Sequence, residues 1–202
     1  LAVMIKQAGL DFESLPDEKF DSIMGESTGA AVIFGATGGV MEAALRTAYE
    51  IVTGREVPFE NLNITAVRGM EGVREATVKL EGLKPEWSFL EGVELKTAVA
   101  HGLTNAHQVM DAIKKGEANY HFVEVMGCPG GCIGGGGQPI PTTPEIRRKR
   151  AEAIYREDEG MAIRKSHENP EVAQIYKEFL GEPLGHRSHE LLHTHYKARK
   201  RH

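Results

Sequence analysis

Cysteine is scarce in this 202-residue chain, which holds two, Cys128 and Cys132. That is too few for a disulfide-stapled scaffold and suits a reducing compartment better. Long apolar runs are missing as well; none could span a bilayer as a helix, so no membrane partner is expected. Positive charge is not in excess. With Lys+Arg at 24 against Asp+Glu at 29 the formal net charge is −5, and the basic footprint of a nucleic-acid binder is lacking. The chain opens at Leu1 with no secretory signal. Neither Gly-x-Gly-x-x-Gly nor a Walker lysine is present, which removes the two standard nucleotide signatures. Internal repeats and low-complexity segments are absent. What remains is an ordinary globular composition, long enough for one domain to bury roughly 70% of its extended-chain surface.

What the chain does have is concentrated between Glu124 and Pro139. Both cysteines lie there among seven glycines and two prolines. Glycine is costly in entropy and is kept where the backbone takes unusual dihedrals or approaches a ligand closely. Thiolate is the usual protein ligand of iron-sulfur clusters. A Cys-x-x-x-Cys pair also fits two unreacted thiols, a disulfide, or half of a zinc site, though zinc spacing is usually tighter and comes in two pairs. So much bare backbone is needed by none of these, and a metallocluster is the leading expectation. The apolar run Tyr120 to Met126 reads as a buried strand delivering the cysteines at its carboxyl end, where open α/β sheets place ligands.

Elsewhere strand and helix patterns alternate. Ala30 to Phe34 reads as a short strand, followed by a glycine turn and a helix with Met41, Ala44, Leu45, Ala48 and Val52 on one face, stopping near Gly54. Leu62 to Arg68 and Glu75 to Leu80 read as a hairpin joined through Gly69 and Gly72. Leu95 to His101 is a further strand. Thr104 is placed to cap a helix that buries Ala106, Val109, Met110 and Ile113 and ends before Gly116. The expected fold is therefore α/β, a largely parallel sheet with flanking helices. From Thr142-Thr143-Pro144 the pattern turns helical, and Asn169-Pro170 starts a helix with Val172, Ile175, Tyr176 and Phe179 as its apolar stripe, ending at Gly181. The division expected is 1–143 as an α/β lobe and 144–202 as a helical wrap.

Several residues carry more than one reading. Gly35-Ala36-Thr37-Gly38-Gly39, between an apolar run and a helix, suits either an anion cradle or a tight packing turn. Met126 is an ordinary core methionine by its pattern. Glu124 alternates onto the same strand face as Met126 and receives no role. His189 and His193 have the i, i+4 spacing of a helical metal clamp; capping and interhelical hydrogen bonding is the alternative. Arg147-Arg148-Lys149-Arg150 and Lys197 to Arg201 suit a solvated face, or the steering of an acidic electron carrier.

The stretch Glu124-Val-Met126-Gly-Cys128-Pro-Gly-Gly-Cys132-Ile-Gly-Gly-Gly-Gly-Gln138-Pro139 resembles the third cluster-binding motif of iron-iron (FeFe) hydrogenases. Gly29 to Arg46 is similar to that family's strand-turn-helix beside the active cluster. Pro170 to Tyr196, ending His-Glu-Leu-Leu-His-Thr-His-Tyr, resembles its small-subunit segment, here fused to the same chain, and Leu1 to Phe12 resembles a helix soon after its second motif. Two earlier family motifs, Thr-Ser-Cys-Cys-Pro and Met-Pro-Cys-x-x-Lys, do not occur here. The resemblance implies the C-terminal part of a hydrogenase catalytic domain, reversibly reducing protons to dihydrogen at a 4Fe-4S cubane linked to a two-iron unit. It implies Cys128 as a terminal cubane ligand and Cys132 as the thiolate bridging the two halves. Phe34 becomes an apolar wall and Met126 a thioether packed on the two-iron unit, with Gly35, Gly38, Gly39, Gly134, Gly135 and Gly136 lining the pocket. The implied partners are the missing N-terminal lobe and an electron carrier, either ferredoxin or an NADH-linked flavin subunit, in the cytoplasm. An iron-sulfur assembly or hydrogen-sensing protein without turnover is the alternative.

Overall fold

The computed structural model describes residues 1–19, 25–58 and 68–199. Its helices are α1 (Ala2–Gln7), α2 (Gly29–Ile33), α3 (Gly39–Thr53), α4 (Leu103–Lys115), α5 (Pro144–Gly160), α6 (Pro170–Ile175) and α7 (His186–Leu192). The strands β1 (Val73–Lys79), β2 (Glu94–His101) and β3 (Phe122–Met126) form one sheet in the order β1-β2-β3. α3 covers one face, where Met41 and Leu45 meet Ala76, Val78 and Val99. α4 covers the other, placing Ala106 and Val109 on Ala98 and Ala100. Burying an aliphatic side chain such as Val99 contributes about 1.5–3 kcal/mol, so both faces are strongly held.

The α/β class with flanking helices stands, but the sheet is mixed rather than largely parallel. β1 and β2 are antiparallel, whereas β2 and β3 are parallel, because α4 supplies the crossover a parallel pair requires. β3 is also less buried than its apolar run suggests. Like β1, it is an edge strand among the described residues, and Phe122 and Val125 are exposed. The reading of Leu62 to Arg68 as a strand falls almost entirely outside the described residues.

Ala30 to Phe34 is not a strand. Thr28 Oγ1 accepts the Ala31 N–H at 3.1 Å and starts α2, whose Ala30 and Ile33 pack with Ala43 against Ile154 and Tyr155 of α5. A short continuous apolar run cannot be told from a buried helix by periodicity, and the cap decides. On α3, Ala44 and Ala48 are exposed, while Glu42, Ala43 and Arg46 are buried. Its buried stripe carries charge that a hydrophobic pattern skips. On α4 the cap is Gly102 rather than Thr104, and Met110 is exposed.

The glycine stops are as read, with Gly54 and Gly116 both left-handed at φ +67° and +74°. α5 starts at Thr143, whose side chain accepts the Ile146 N–H. α6 starts at Asn169, whose Oδ1 accepts the Glu171 and Val172 amides at 2.9 and 3.2 Å while its Nδ2 donates to the Glu26 carbonyl at 3.0 Å. The helix continues through a π-helical turn, Tyr176–Leu180, to Gly181. Val172, Ile175 and Tyr176 of its expected stripe are half-buried, and Phe179 is exposed under Arg187. Asn169→Ala removes both the cap and the tie to Glu26, so a loss of about 1–2 kcal/mol is expected in urea denaturation. An unchanged midpoint would show that α6 is not held through its cap.

Candidate metal centre

Parallel pairing brings the carboxyl ends of β2 and β3 together, with the Gly102 N–H donating to the Met126 carbonyl at 2.8 Å. The chain leaves this end through Gly127 to Pro139, and both cysteines on it are free and exposed. The turn between α2 and α3 lies alongside. The Thr37 N–H donates to the Gly130 carbonyl at 3.0 Å, and the Ile133 N–H donates to the Gly35 carbonyl at 3.1 Å. Gly131, at φ +91°, sits at the crossing. A Cβ there would lie 2.8 Å from both Met126 Sδ and Thr37 N and 2.9 Å from the Gly35 oxygen, so only glycine allows this approach. Ala36, Ile133 and Ala151 seal the junction beneath Met70.

Glu124, given no role by the sequence, ties the two segments together. Its carboxylate accepts the Gly38 N–H at 2.7 Å and the Met41 N–H at 2.8 Å. These are amides that the first turn of α3 leaves without intrahelical partners, and the negative charge also suits the helix dipole. A carboxylate on the strand that leads into the cysteine loop thus caps the helix of the neighbouring glycine turn. Its alternation with Met126 was the available signal.

The basic run on α5 turns partly inward. Arg150 Nη1 donates to the Ile133 carbonyl and Nη2 to the Pro139 carbonyl, both at 2.8 Å, holding the polyglycine stretch from either end. A Cβ on Gly134 would come 2.7 Å from Arg147 Cδ, so that side chain also lies on the loop. Lys149 instead pairs with Glu145 at the surface.

Of the residues expected at the site, the fold brings Gly35, Met126, Cys128, Cys132, Gly134 and Gly135 into one region. A Cβ on Gly135 would lie 3.4 Å from Cys128 Sγ, whereas one on Gly136 would meet open space. Gly38 caps α3 at φ +89°, and Gly39 is packed beneath the Ile33 carbonyl. Phe34 closes α2 and is 45% exposed. His189 and His193 are exposed, their rings stacking at 4.2 Å between centroids. Among the described residues, the only grouping of three metal-type ligands is Glu50, His167 and Glu168. There the Lys165 ammonium already lies 2.8 Å from each carboxylate.

A buried ion network stands behind the site. Arg46 Nη1 and Nη2 donate to the Asp158 oxygens at 2.7 and 2.8 Å, and Nη2 also donates to Glu42 at 2.6 Å. Arg68 donates to Glu42, and Arg164 to Asp158. Burial alone would push the Asp158 carboxyl up, but the hydrogen bonds from Arg46 and Arg164 overcome this and hold it below the usual range. For Arg46, burial works against the charge and the Asp158 and Glu42 partners outweigh it.

Two exposed thiols on a glycine-rich loop, its backbone held by the Arg150 guanidinium, fit an iron-sulfur cluster in donor chemistry. They supply two of the four thiolates a cubane normally takes.

Comparisons with known proteins agree with this chemistry. Residues 1–136 match the family described as the C-terminal domain of the iron-only hydrogenase large subunit, and residues 144–199 match the iron hydrogenase small subunit. The chain is 51% identical over 205 residues to the NADP-reducing hydrogenase subunit HndD of Solidesulfovibrio fructosivorans, covering 100% of this chain and 32% of that protein. It is 54% identical over 156 residues to the periplasmic iron hydrogenase large subunit of Nitratidesulfovibrio vulgaris, covering 77% and 34%. Protein NAR1 of Arabidopsis thaliana is 29% identical over 199 residues, 96% of this chain and 40% of that one. Among solved structures, a variant of the FeFe hydrogenase HydA1 from Chlamydomonas reinhardtii superposes with a TM-score of 0.74 at 44% identity, covering 96% of this chain and 53% of the other. The chain thus spans about a third of the length of the two curated hydrogenases.

Proposed function

Because the chain belongs to the family of iron-only hydrogenase C-terminal domains, we propose that it forms one wall of a site where protons are reversibly reduced to dihydrogen. The observation that carries this reading is the crossing of the cysteine loop and the Gly35–Gly39 turn, locked by the Thr37–Gly130 and Ile133–Gly35 hydrogen bonds. In it Cys128 and Cys132 hold a cubane and its linked two-iron unit, which supply the redox and hydrogen-activating chemistry when bound. The protein's own share is to fix the thiols, exclude water with Phe34 and Met126, and present bare backbone at Gly134 to Gly136.

The remaining donors come from a further lobe of the same protein. In support, no residue of α1 is buried, and the apolar side chains of Met4, Phe12, Phe34 and Val125 are all exposed. Similarity to part of an NADP-reducing hydrogenase favours a nicotinamide-linked flavin subunit over ferredoxin as electron partner. No helix among the described residues is long and apolar enough to cross a membrane, and the fused small-subunit segment favours the cytoplasm. A second reading, iron-sulfur assembly without turnover, draws support from the likeness to a probable cytosolic Fe-S cluster assembly factor of Drosophila willistoni, 41% identical over 105 residues.

After anaerobic reconstitution with iron and sulfide and supply of the two-iron unit, the 202-residue chain alone is expected to evolve no hydrogen from reduced methyl viologen. The natural full-length polypeptide carrying it is expected to do so. Turnover by the chain alone, at the rate of an intact hydrogenase, would overturn the shared site. A silent full-length protein with its cubane loaded would favour assembly.

A further inference from the structure

His101 ends β2 and pairs in register with Met126. Its side chain is buried, 8% exposed, and both ring nitrogens are engaged. Nδ1 lies 3.1 Å from the Gly130 nitrogen, and Nε2 lies 3.1 Å from the Met70 carbonyl. A backbone N–H can only donate and a carbonyl can only accept, so Nδ1 must offer its lone pair and Nε2 must carry the proton. The geometry therefore requires a neutral imidazole in one tautomer.

The residue it holds is the midpoint of the cysteine loop. Gly130 lies two positions from each thiol, is buried, and takes φ +83°. Its N–H is fixed by His101 and its carbonyl by the Thr37 N–H at 3.0 Å. With both groups pinned, the loop has little freedom to rotate, and the directions in which Cys128 and Cys132 leave it are set before any metal arrives. We infer that His101 is a positioning residue of the iron site, acting through the Gly130 amide and not as a ligand. For the metal this rests on the hydrogenase reading; for the clamp it rests on the hydrogen bonds alone.

Two substitutions separate positioning from packing. His101→Asn keeps a carbonyl oxygen near the place of Nδ1 and so retains an acceptor for the Gly130 N–H, although it is smaller and more polar. His101→Leu fills the buried site but offers no acceptor. If His101 only packs, leucine is the milder change; if it positions Gly130, asparagine is. In the natural full-length polypeptide, amide exchange of the 127–134 peptide, followed without metal, is expected to stay within about threefold of wild type in His101→Asn. It should accelerate at least about tenfold in His101→Leu. Release of iron from the loaded cubane to a chelator should follow the same order, with the leucine variant about 10–100-fold faster, the usual cost of losing a group that orients a ligand. Should His101→Leu match wild type in exchange and iron release, or His101→Asn be the worse of the two, the assignment is overturned. A wild-type protein that binds no iron yet shows the exchange pattern would reject the hydrogenase reading and leave the clamp standing.

Discussion

On the proposed hydrogenase reading, with Cys132 as the thiolate bridging cubane and two-iron unit, serine in its place in the full-length polypeptide is expected to abolish hydrogen turnover and remove the infrared bands of the carbonyl and cyanide ligands on the two-iron unit. The loss should exceed roughly a hundredfold, beyond what removal of an outer partner costs. Thiolate sulfur is soft and can donate to two irons at once, whereas a serine oxygen is a poor ligand for this metal chemistry. Cys128→Ser should act differently. On the reading of Cys128 as a terminal cubane ligand, this substitution should first deplete cubane iron, with any loss of the two-iron unit following. Iron counting beside infrared spectra distinguishes the two variants. Normal diatomic bands together with activity in Cys132→Ser would refute its role as the bridge. Both thiols are exposed and neither is part of a hydrophobic core cluster, so neither substitution should disturb the fold.

The second large effect lies away from the thiols. Asp158→Asn leaves the fully buried Arg46 guanidinium short of charge compensation, and removing one member of such a pair typically costs 3–5 kcal/mol. For a chain of this size that is a fall in Tm on the order of 10 °C. The pH dependence has a defined sign. The folded Asp158 carboxyl sits below its ordinary value, so its stabilisation is complete above the unfolded value of about 3.9 and is lost as pH falls through the lower, folded value. Thermal melts from neutral pH into acid should show this loss in wild type and a correspondingly flatter profile in Asp158→Asn. Arg46→Met with Asp158→Leu, which removes both charges, should recover much of the stability. A single variant that melts with wild type would show that the network is not stabilising.

What could be read along the chain was mostly local, although the α4 cap is Gly102 and not the expected Thr104. Gly54 and Gly116 end their helices, and Thr143 and Asn169 begin theirs, because a cap acts within one turn. The cysteine loop was legible because its glycines and thiols are contiguous. Strand direction was not, since the antiparallel pairing of β1 with β2 depends on contacts between distant residues. α2 was misread because five apolar or small residues satisfy strand and buried helix alike, and the deciding Thr28 lies just outside the run. The buried face of α3 was misread because Glu42 and Arg46 break its apolar stripe. Their partners Arg68 and Asp158 are 26 and 112 residues away. Glu124 and His101 escaped for the same reason, since each acts on backbone amides of another segment.

The Arg46–Asp158 pair also sets an order of events during biosynthesis. α3 is translated more than a hundred residues before the carboxylate that neutralises its buried arginine. Until Asp158 leaves the ribosome, Arg46 has Glu42 but not its second counter-charge, and the face of α3 that later meets α5 stays wet. The cysteine loop is synthesised within that interval, and Arg150, which ties down both ends of its polyglycine stretch, emerges only after it. Anchoring of the loop by Arg150 therefore waits until α5 has been made, and a nascent chain stalled before α5 would carry both thiols on a loop without that anchor.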